Sequence, residues 1–360
     1  MKFLNNLKKI DWVLVGALAM LSAMSLSVLA PYDSSFFSKQ IIWYAAGFAI
    51  IIFGSQLNWR WLLKWPVFKY GFYVLSVFLL LVSNIQSHVI RGSRSWISLG
   101  FLQFEPAEFA KLGLIFLLAS FFTSKYLAAW RSKYLFSSLG LALVPALLTA
   151  IHPDLGSSII IMSIWVGFIL VGGVNKKRFF IGLLVFVVAA VLVWSFFLKE
   201  YQRERLVAFL SPQSDPLGIN YNVIQAKTAI GSAGFWGKGY GQGTQTQFHF
   251  LPEAQTDFIF AAFSEEWGVF GDIVMLLTFL VIFYKLMDIG LRAGSNSFKF
   301  LVFGGSVVLL VQVVINIGSN VGLVPVTGIT LPFVSYGGSS ILTIAILIGI
   351  IQHIKLESSR

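Results

Sequence analysis

The chain has 360 residues, of which 57% are hydrophobic and only 11% charged, with a mean hydropathy of +0.81. A soluble globular protein carries about 25% charged residues, so this composition excludes a soluble enzyme, a disordered chain and a DNA-binding module, and leaves an all-α integral membrane protein. The formal net charge of +11 then reads as basic residues in cytoplasmic loops rather than as a nucleic-acid footprint.

A membrane span needs roughly 20 apolar residues. Ten spans are predicted, near 12–30, 38–56, 66–84, 106–123, 135–152, 155–173, 179–198, 258–284, 300–320 and 338–354. Lys2, Lys8 and Lys9 precede the first span. Placing them inside also puts most Lys and Arg inside, and an even span count returns the basic C-terminus there. Both termini are therefore expected in the cytoplasm. The first segment has the basic start of a signal peptide, but its apolar run is too long and Pro31 follows at once. It is expected to be retained. No internal repeat is visible, which argues against a transporter built from inverted repeats. The whole of 1–360 reads as a single transmembrane domain.

Span four opens with EPAEFAKLGLIF. Glu105, Glu108 and Lys111 follow at i, i+3 and i+6, so they share one helix face. A charge inside a span is costly and suggests function. Either Glu108 and Lys111 form an internal ion pair, or Lys111 is available to an anionic group in a pocket. Asp154, in the short HPDLGSS turn between spans five and six, either caps the next helix or faces the same pocket. Arg91 and Arg94 lie in the loop before span four, and Arg203 and Arg205 open the long loop. Guanidinium groups bind phosphate in a bidentate fashion, so these four contact either lipid headgroups or a phosphate.

Residues 199–257 form one long extracytoplasmic loop before span eight. Its aromatic and aliphatic residues argue for order, and 222–229 is predicted as a short amphipathic helix. The glycines from Gly231 to Gly243 either let the backbone approach a sugar or phosphate closely or belong to a flexible connector. Asp257 ends this loop where span eight begins. Thr256 or Asp257 is a possible N-cap. Alternatively, partial desolvation suits the Asp257 carboxylate to general-base work. Gln245, Glu253 and Thr256 in the same run are further substrate-binding candidates. Glu265 and Glu266 lie two turns further in and need partners that the sequence does not name. The last loop, GLVPVTGITLPFVSYGGSS, is expected to be re-entrant or tightly packed, because irregular backbone at membrane depth must be buried in protein or line a cavity. Gln312 and Asn316 in span nine are expected on a face that packs against another helix, such as a partner's. The chain has no cysteine, and its four histidines show no paired ligand spacing, which argues against zinc.

The stretches SRSWISLGFLQFEPAEFAK, HPDLGSS, RERLVAFLSPQSDPLGINYNVIQAKTAIGSAGFWGKGYGQGTQ, FLPEAQTDFIFAAFSEEWG and PVTGITLPFVSYGGSS resemble the SEDS family (shape, elongation, division and sporulation) over nearly the whole chain. PVTGITLPF is most similar to the elongation branch, RodA. The resemblance implies a peptidoglycan glycosyltransferase that polymerises lipid II during cell elongation, with Asp257 in TDFIF as general base. It also implies that Glu108 and Lys111 are the family's polar pair, Asp154 its PDLG acid, and a class B penicillin-binding protein (a transpeptidase) its partner. Arg94, Lys111, Arg203 and Arg205 are the candidate cations for the departing pyrophosphate, and a divalent cation such as Mg or Mn is an alternative source of that charge. Two departures stand out: Ser95, where relatives carry Arg before Trp96, and Ala233, where a Gly is usual. A lipid II flippase and a non-catalytic scaffold for the transpeptidase are the rival readings. The charges cluster in the expected outer half, which favours outward-facing catalysis over transport.

Overall fold

The structure is a computed structural model, and it describes residues 7–86, 97–99, 102–124, 132–151, 154–172, 218 and 220–358. Span 179–198 and residues Arg91, Arg94, Ser95, Arg203 and Arg205 lie outside the described residues.

The bundle follows the apolar segments closely. The helices are α1 (Trp12–Tyr32), α2 (Ser34–Gly54), α3 (Trp59–Lys64), α4 (Pro66–Gln86), α5 (Pro106–Ser124), α6 (Ser132–Ile151), α7 (Leu155–Val171), α8 (Tyr221–Ser232), α9 (Thr244–Gln247), α10 (Ile259–Arg292), α11 (Asn296–Val321) and α12 (Gly338–Ser358). Among the described residues, 8 helices are long and apolar enough to cross a membrane, and α7, at 17 residues, is shorter. At 1.5 Å per residue α7 is roughly 25 Å long, the lower limit for a span. The protein is thus a multi-pass membrane protein. One addition to the expected all-α class is a short antiparallel hairpin, β1 (Ile97–Leu99) with β2 (Leu102–Phe104), pairing Ile97 with Phe104 and leading into α5.

The centre of the bundle is α5, which is buried from Pro106 to Ala119 except at the half-buried Phe109. It packs against α4, α6, α7, α11 and α12, while α12 lies along α2. Small residues permit these close approaches. A Cβ at Gly304 would meet the Phe168 ring at 2.6 Å, and one at Gly305 would meet Leu347 at 2.9 Å. The outer helices expose Ile42, Phe53, Val67, Phe78, Leu147, Leu280 and Tyr284. Such a surface suits lipid and no aqueous solvent.

Span eight differs from expectation. It runs on to Arg292 and breaks at Gly268, whose φ is 68° and ψ −170°. The break frees backbone groups that lipid cannot satisfy, and the glycine-rich loop takes them up. Val269 and Phe270 N–H groups donate to the Gly234 and Phe235 carbonyls (3.1 and 3.0 Å), and Lys238 and Gly239 N–H groups donate to the Glu265 and Glu266 carbonyls (2.9 and 3.1 Å). Gly237 sits so close to Glu266 that any side chain there would collide with its carbonyl. These glycines therefore bring the described glycine-rich part of the loop against α10.

At the other end of α10, Asp11 joins three helices. Its side chain accepts the Leu14 N–H (3.2 Å) as N-cap of α1, and it pairs with Lys355 (2.7 Å) and Lys285 (3.3 Å). The Gln352 side chain bonds both the N–H (2.9 Å) and the carbonyl (3.1 Å) of Asp11. Burial raises the Asp11 carboxyl, but Lys355, the Leu14 N–H and Lys285 outweigh it and hold the group below its usual 3.8. A depressed acid stabilises the fold fully above its unfolded value and stops doing so as pH falls through the folded one. Asp11→Asn keeps the cap and loses the ion pairs, which should cost about 2 kcal/mol at neutral pH. Thermal unfolding in detergent checks this: the gap to wild type should close on acidification below 3.8. A gap that persists there would assign the loss to packing.

Candidate active site

Four loops and helix starts meet at one end of the bundle. Asp257 sits in the turn before α10. The N-cap of that helix is Phe258, without a side-chain bond, so neither Thr256 nor Asp257 caps it. The Thr256 hydroxyl instead donates to Glu253 Oε2 (2.8 Å), and Glu253 holds a left-handed backbone at φ 52°. Asp257 is half-buried, and its Oδ2 lies beside Gly328, where an added Cβ would sit 3.9 Å away.

The backbone of this turn is pinned from two sides. Asn316 and Asn320 of α11 both donate their side-chain amides to the Asp257 carbonyl, at 3.0 and 2.9 Å. Asn316 also reaches the Ile329 carbonyl (2.8 Å), and Asn320 accepts the Ala261 N–H (3.1 Å). From the last loop, the Ser335 hydroxyl donates to the Thr256 carbonyl (2.6 Å), and the Tyr336 N–H to the Gln255 carbonyl (2.8 Å). The packing face expected at Gln312 and Asn316 lies inside this chain, where both are buried at 1% exposure. Asn320 was not singled out from sequence. Its signal is the i, i+4 repeat of Asn in an apolar helix.

The acids named from sequence gather here. Glu108 and Lys111 form an ion pair of 2.7 Å with side chains only 5% and 2% exposed, so the internal-pair reading holds. Asp154 caps α7 by accepting the Ser157 N–H (2.9 Å), so its capping reading holds, and the charges of Lys111 and Glu108 reach it. Burial pushes the Asp154 carboxyl up despite Ser157 and Lys111. Glu105 rises well above its usual 4.5, chiefly through burial, then through the charges of Glu108 and Asp154, with Lys111 opposing and Asp257 adding. Glu105, Glu108, Lys111, Asp154 and Asp257 therefore share one electrostatic neighbourhood at the starts of α5, α7 and α10. Gly156 seats the start of α7 on the last loop, since a Cβ there would meet the Thr327 carbonyl at 2.6 Å.

Glu265 and Glu266 act elsewhere, on the glycine-rich loop. Glu265 is fully buried and accepts from Lys238 (2.7 Å), the Gln245 and Thr246 N–H groups (2.9 and 3.0 Å) and the Thr246 hydroxyl (2.9 Å). Gln247 bonds Glu266 at 3.2 Å. Gln245 thus serves through its backbone, while its Oε1 is buried without a partner. Ala233 has an ordinary φ of −70°, so no positive φ is demanded of it, and the left-handed residue is Gly234. The predicted helix at 222–229 is α8, longer at both ends. Among the described residues, no three His, Asp or Glu side chains converge as metal ligands.

Removing one member of a buried ion pair strands the other charge. Lys111→Met should cost about 3 kcal/mol or more, and Glu108→Gln added to it should restore most of that loss. Thermal unfolding of the two variants checks the coupling. Additive losses would mean the pair contributes nothing as a pair.

A family model described as a cell cycle protein, FtsW/RodA/SpoVE, matches residues 6–360. The peptidoglycan glycosyltransferase MrdB of Escherichia coli (strain K12) is 34% identical over 340 residues, covering 94% of this chain and 90% of that one. A solved structure described as "Structural coordination of polymerization and crosslinking by a peptidoglycan synthase complex" contains a chain with a TM-score of 0.84 and 30% identity, covering 98% of this chain and 99% of that one. The crystal structure of the rod shape determining protein RodA of Thermus thermophilus has a TM-score of 0.72 and 26% identity, covering 98% of each chain.

Proposed function

The chain belongs to the FtsW/RodA/SpoVE family and is a peptidoglycan glycosyltransferase, and from that premise we propose that it polymerises lipid II with Asp257 as general base. The 4-hydroxyl of an acceptor GlcNAc loses its proton to the Asp257 carboxylate. Its oxygen forms the new bond to C1 of a MurNAc held on undecaprenyl pyrophosphate. The bond from C1 to the pyrophosphate oxygen breaks, the pyrophosphate leaves with the electron pair, and the α-linked donor becomes a β-1,4 linkage.

The observation that carries this reading is the hold on Asp257. Its carbonyl is fixed by two Asn side chains, its carboxyl group is half-buried, and with Lys111, Glu108 and Asp154 it acts on Glu105. A base that must take a proton at one atom needs such a fixed position. Glu108, Asp154, Gln245, Glu253 and Thr256 are proposed to line or shape the substrate site. Lys111, at the starts of α5 and α7, is a cation near the place where negative charge develops. Arg94, Arg203 and Arg205 are proposed to add to it from the neighbouring loops, with a divalent cation as the other source. The raised carboxyl of Glu105 favours its neutral form, which limits the negative charge that a pyrophosphate would meet.

The proposed setting is the bacterial cytoplasmic membrane. Ten spans form one SEDS-type domain with both termini inside, and the site opens on the extracytoplasmic side. The proposed partner is a class B penicillin-binding protein, which would crosslink the strands as they emerge.

The test is strand formation by the purified chain with lipid II and that partner, its transpeptidase site blocked. Wild type should make uncrosslinked strands, and Asp257→Asn should lose about 10²-fold or more of the rate while keeping its fold. Full activity in Asp257→Asn would remove Asp257 from the mechanism. No strands from wild type would turn the reading toward a flippase or scaffold.

A further inference from the structure

The turn that holds the Asp257 segment is itself held from deep in the bundle. Phe333, in the LPFVSYGG stretch, has a φ of 58°. That backbone region is a genuine outlier for a bulky residue and persists only where the surroundings impose it. Two polar side chains of α2 impose it here. The Tyr44 hydroxyl donates to the Phe333 carbonyl (3.0 Å), and Gln40 Nε2 donates to the Ser335 carbonyl (3.2 Å) and to the Tyr44 hydroxyl (3.0 Å). The Phe333 ring stacks on Tyr44, with centroids 6.2 Å apart, and meets Phe48 edge-on at 6.1 Å.

Gln40 is 0% exposed and Tyr44 4%. Gln40 Oε1 has no hydrogen-bond partner. A half-satisfied buried amide is costly. A strained residue and a half-satisfied amide in one buried contact mark a place where geometry has been kept at the expense of stability.

The contact leads straight to the reacting end of the bundle. Ser335, held through its carbonyl by Gln40, uses its hydroxyl twice: it accepts the Leu331 N–H (2.8 Å) and donates to the Thr256 carbonyl (2.6 Å). The next residue along, Tyr336, holds the Gln255 carbonyl. Asp257 follows directly.

We propose that Gln40 and Tyr44 are positioning residues that set the Asp257 carboxylate through the strained turn at 331–336. This rests on the reading of Asp257 as the base. Neither residue touches the reacting atoms. Gln40 fixes the Ser335 carbonyl and Tyr44 the Phe333 carbonyl, so that Ser335 and Tyr336 hold the Thr256 and Gln255 carbonyls, while Asn316 and Asn320 fix the carbonyl of Asp257 itself.

The test compares Gln40→Leu and Tyr44→Phe with wild type and Asp257→Asn, measuring kcat and KM for lipid II beside the thermal midpoint. An ångström of misplacement at a reacting group costs about 10- to 100-fold, so kcat should fall by that much in Gln40→Leu and by less in Tyr44→Phe. KM should change little, and kcat should fall by more than any drop in the thermal midpoint accounts for, since Gln40→Leu also strands the Ser335 carbonyl. A fall in activity that merely follows a fall in thermal midpoint would make the contact structural and overturn the proposal, as would unchanged kcat in both variants. If Gln40→Leu fails to fold, Tyr44→Phe, which removes a single hydroxyl, decides alone. Full activity in Asp257→Asn would instead overturn the base, which separates failure of the underlying reading from failure of the relay.

Discussion

A backbone that leaves a helix at membrane depth must find its hydrogen bonds within the protein. The site is built around that constraint. The turn before α10 offers three consecutive carbonyls, of Gln255, Thr256 and Asp257, and each is taken by a different donor: the Tyr336 N–H, the Ser335 hydroxyl and the paired amides of Asn316 and Asn320. Satisfying those carbonyls is also what fixes the carboxylate. The same bonds tie α11 and the last loop to the start of α10, so the fold and the position of the acid cannot be separated.

The break in α10 obeys the same rule at a second place. Gly268 interrupts the helix, and the glycine-rich loop supplies both donors and acceptors to the freed groups. Glu265 then closes the loop by gathering Lys238 and the N–H groups at the start of α9. The described part of the long loop is thereby anchored on α10. Glu105, with Glu108, Asp154 and Asp257 acting on it and Lys111 opposing them, marks one end of the bundle as the candidate site.

Much of this was legible in the sequence because charge is rare in an apolar chain. Glu108, Lys111, Asp154 and Asp257 stand out against their surroundings, and the apolar stretches locate most of the described helices to within a few residues, though span eight runs on to Arg292. The neutral polar residues did not stand out. Asn320, Gln40, Tyr44 and Ser335 sit in segments that read simply as span or turn, and their partners lie 63, 295, 289 and 79 positions away. They bond backbone carbonyls, which carry no residue signature. Asn316 was noticed as a packing residue, but a polar residue on a helix does not reveal which segment it faces, here the turn before α10 and the last loop. The break at Gly268 was missed because glycine is common in membrane helices. The glycines of the loop were noticed for their freedom, whereas at Gly237 the space left by a missing side chain is what counts.

The central claim is that Asp257 faces an extracytoplasmic, substrate-binding space. Because the chain has no cysteine, Asp257→Cys carries a single thiol whose reactivity can be followed without background. A membrane-impermeant maleimide added to spheroplasts should label that thiol without permeabilisation, and lipid II should slow the reaction in the purified protein. A control thiol at Ser358→Cys should label only after permeabilisation. Labelling of the thiol at position 257 only from the cytoplasmic side, or at a rate indifferent to lipid II, would contradict the account.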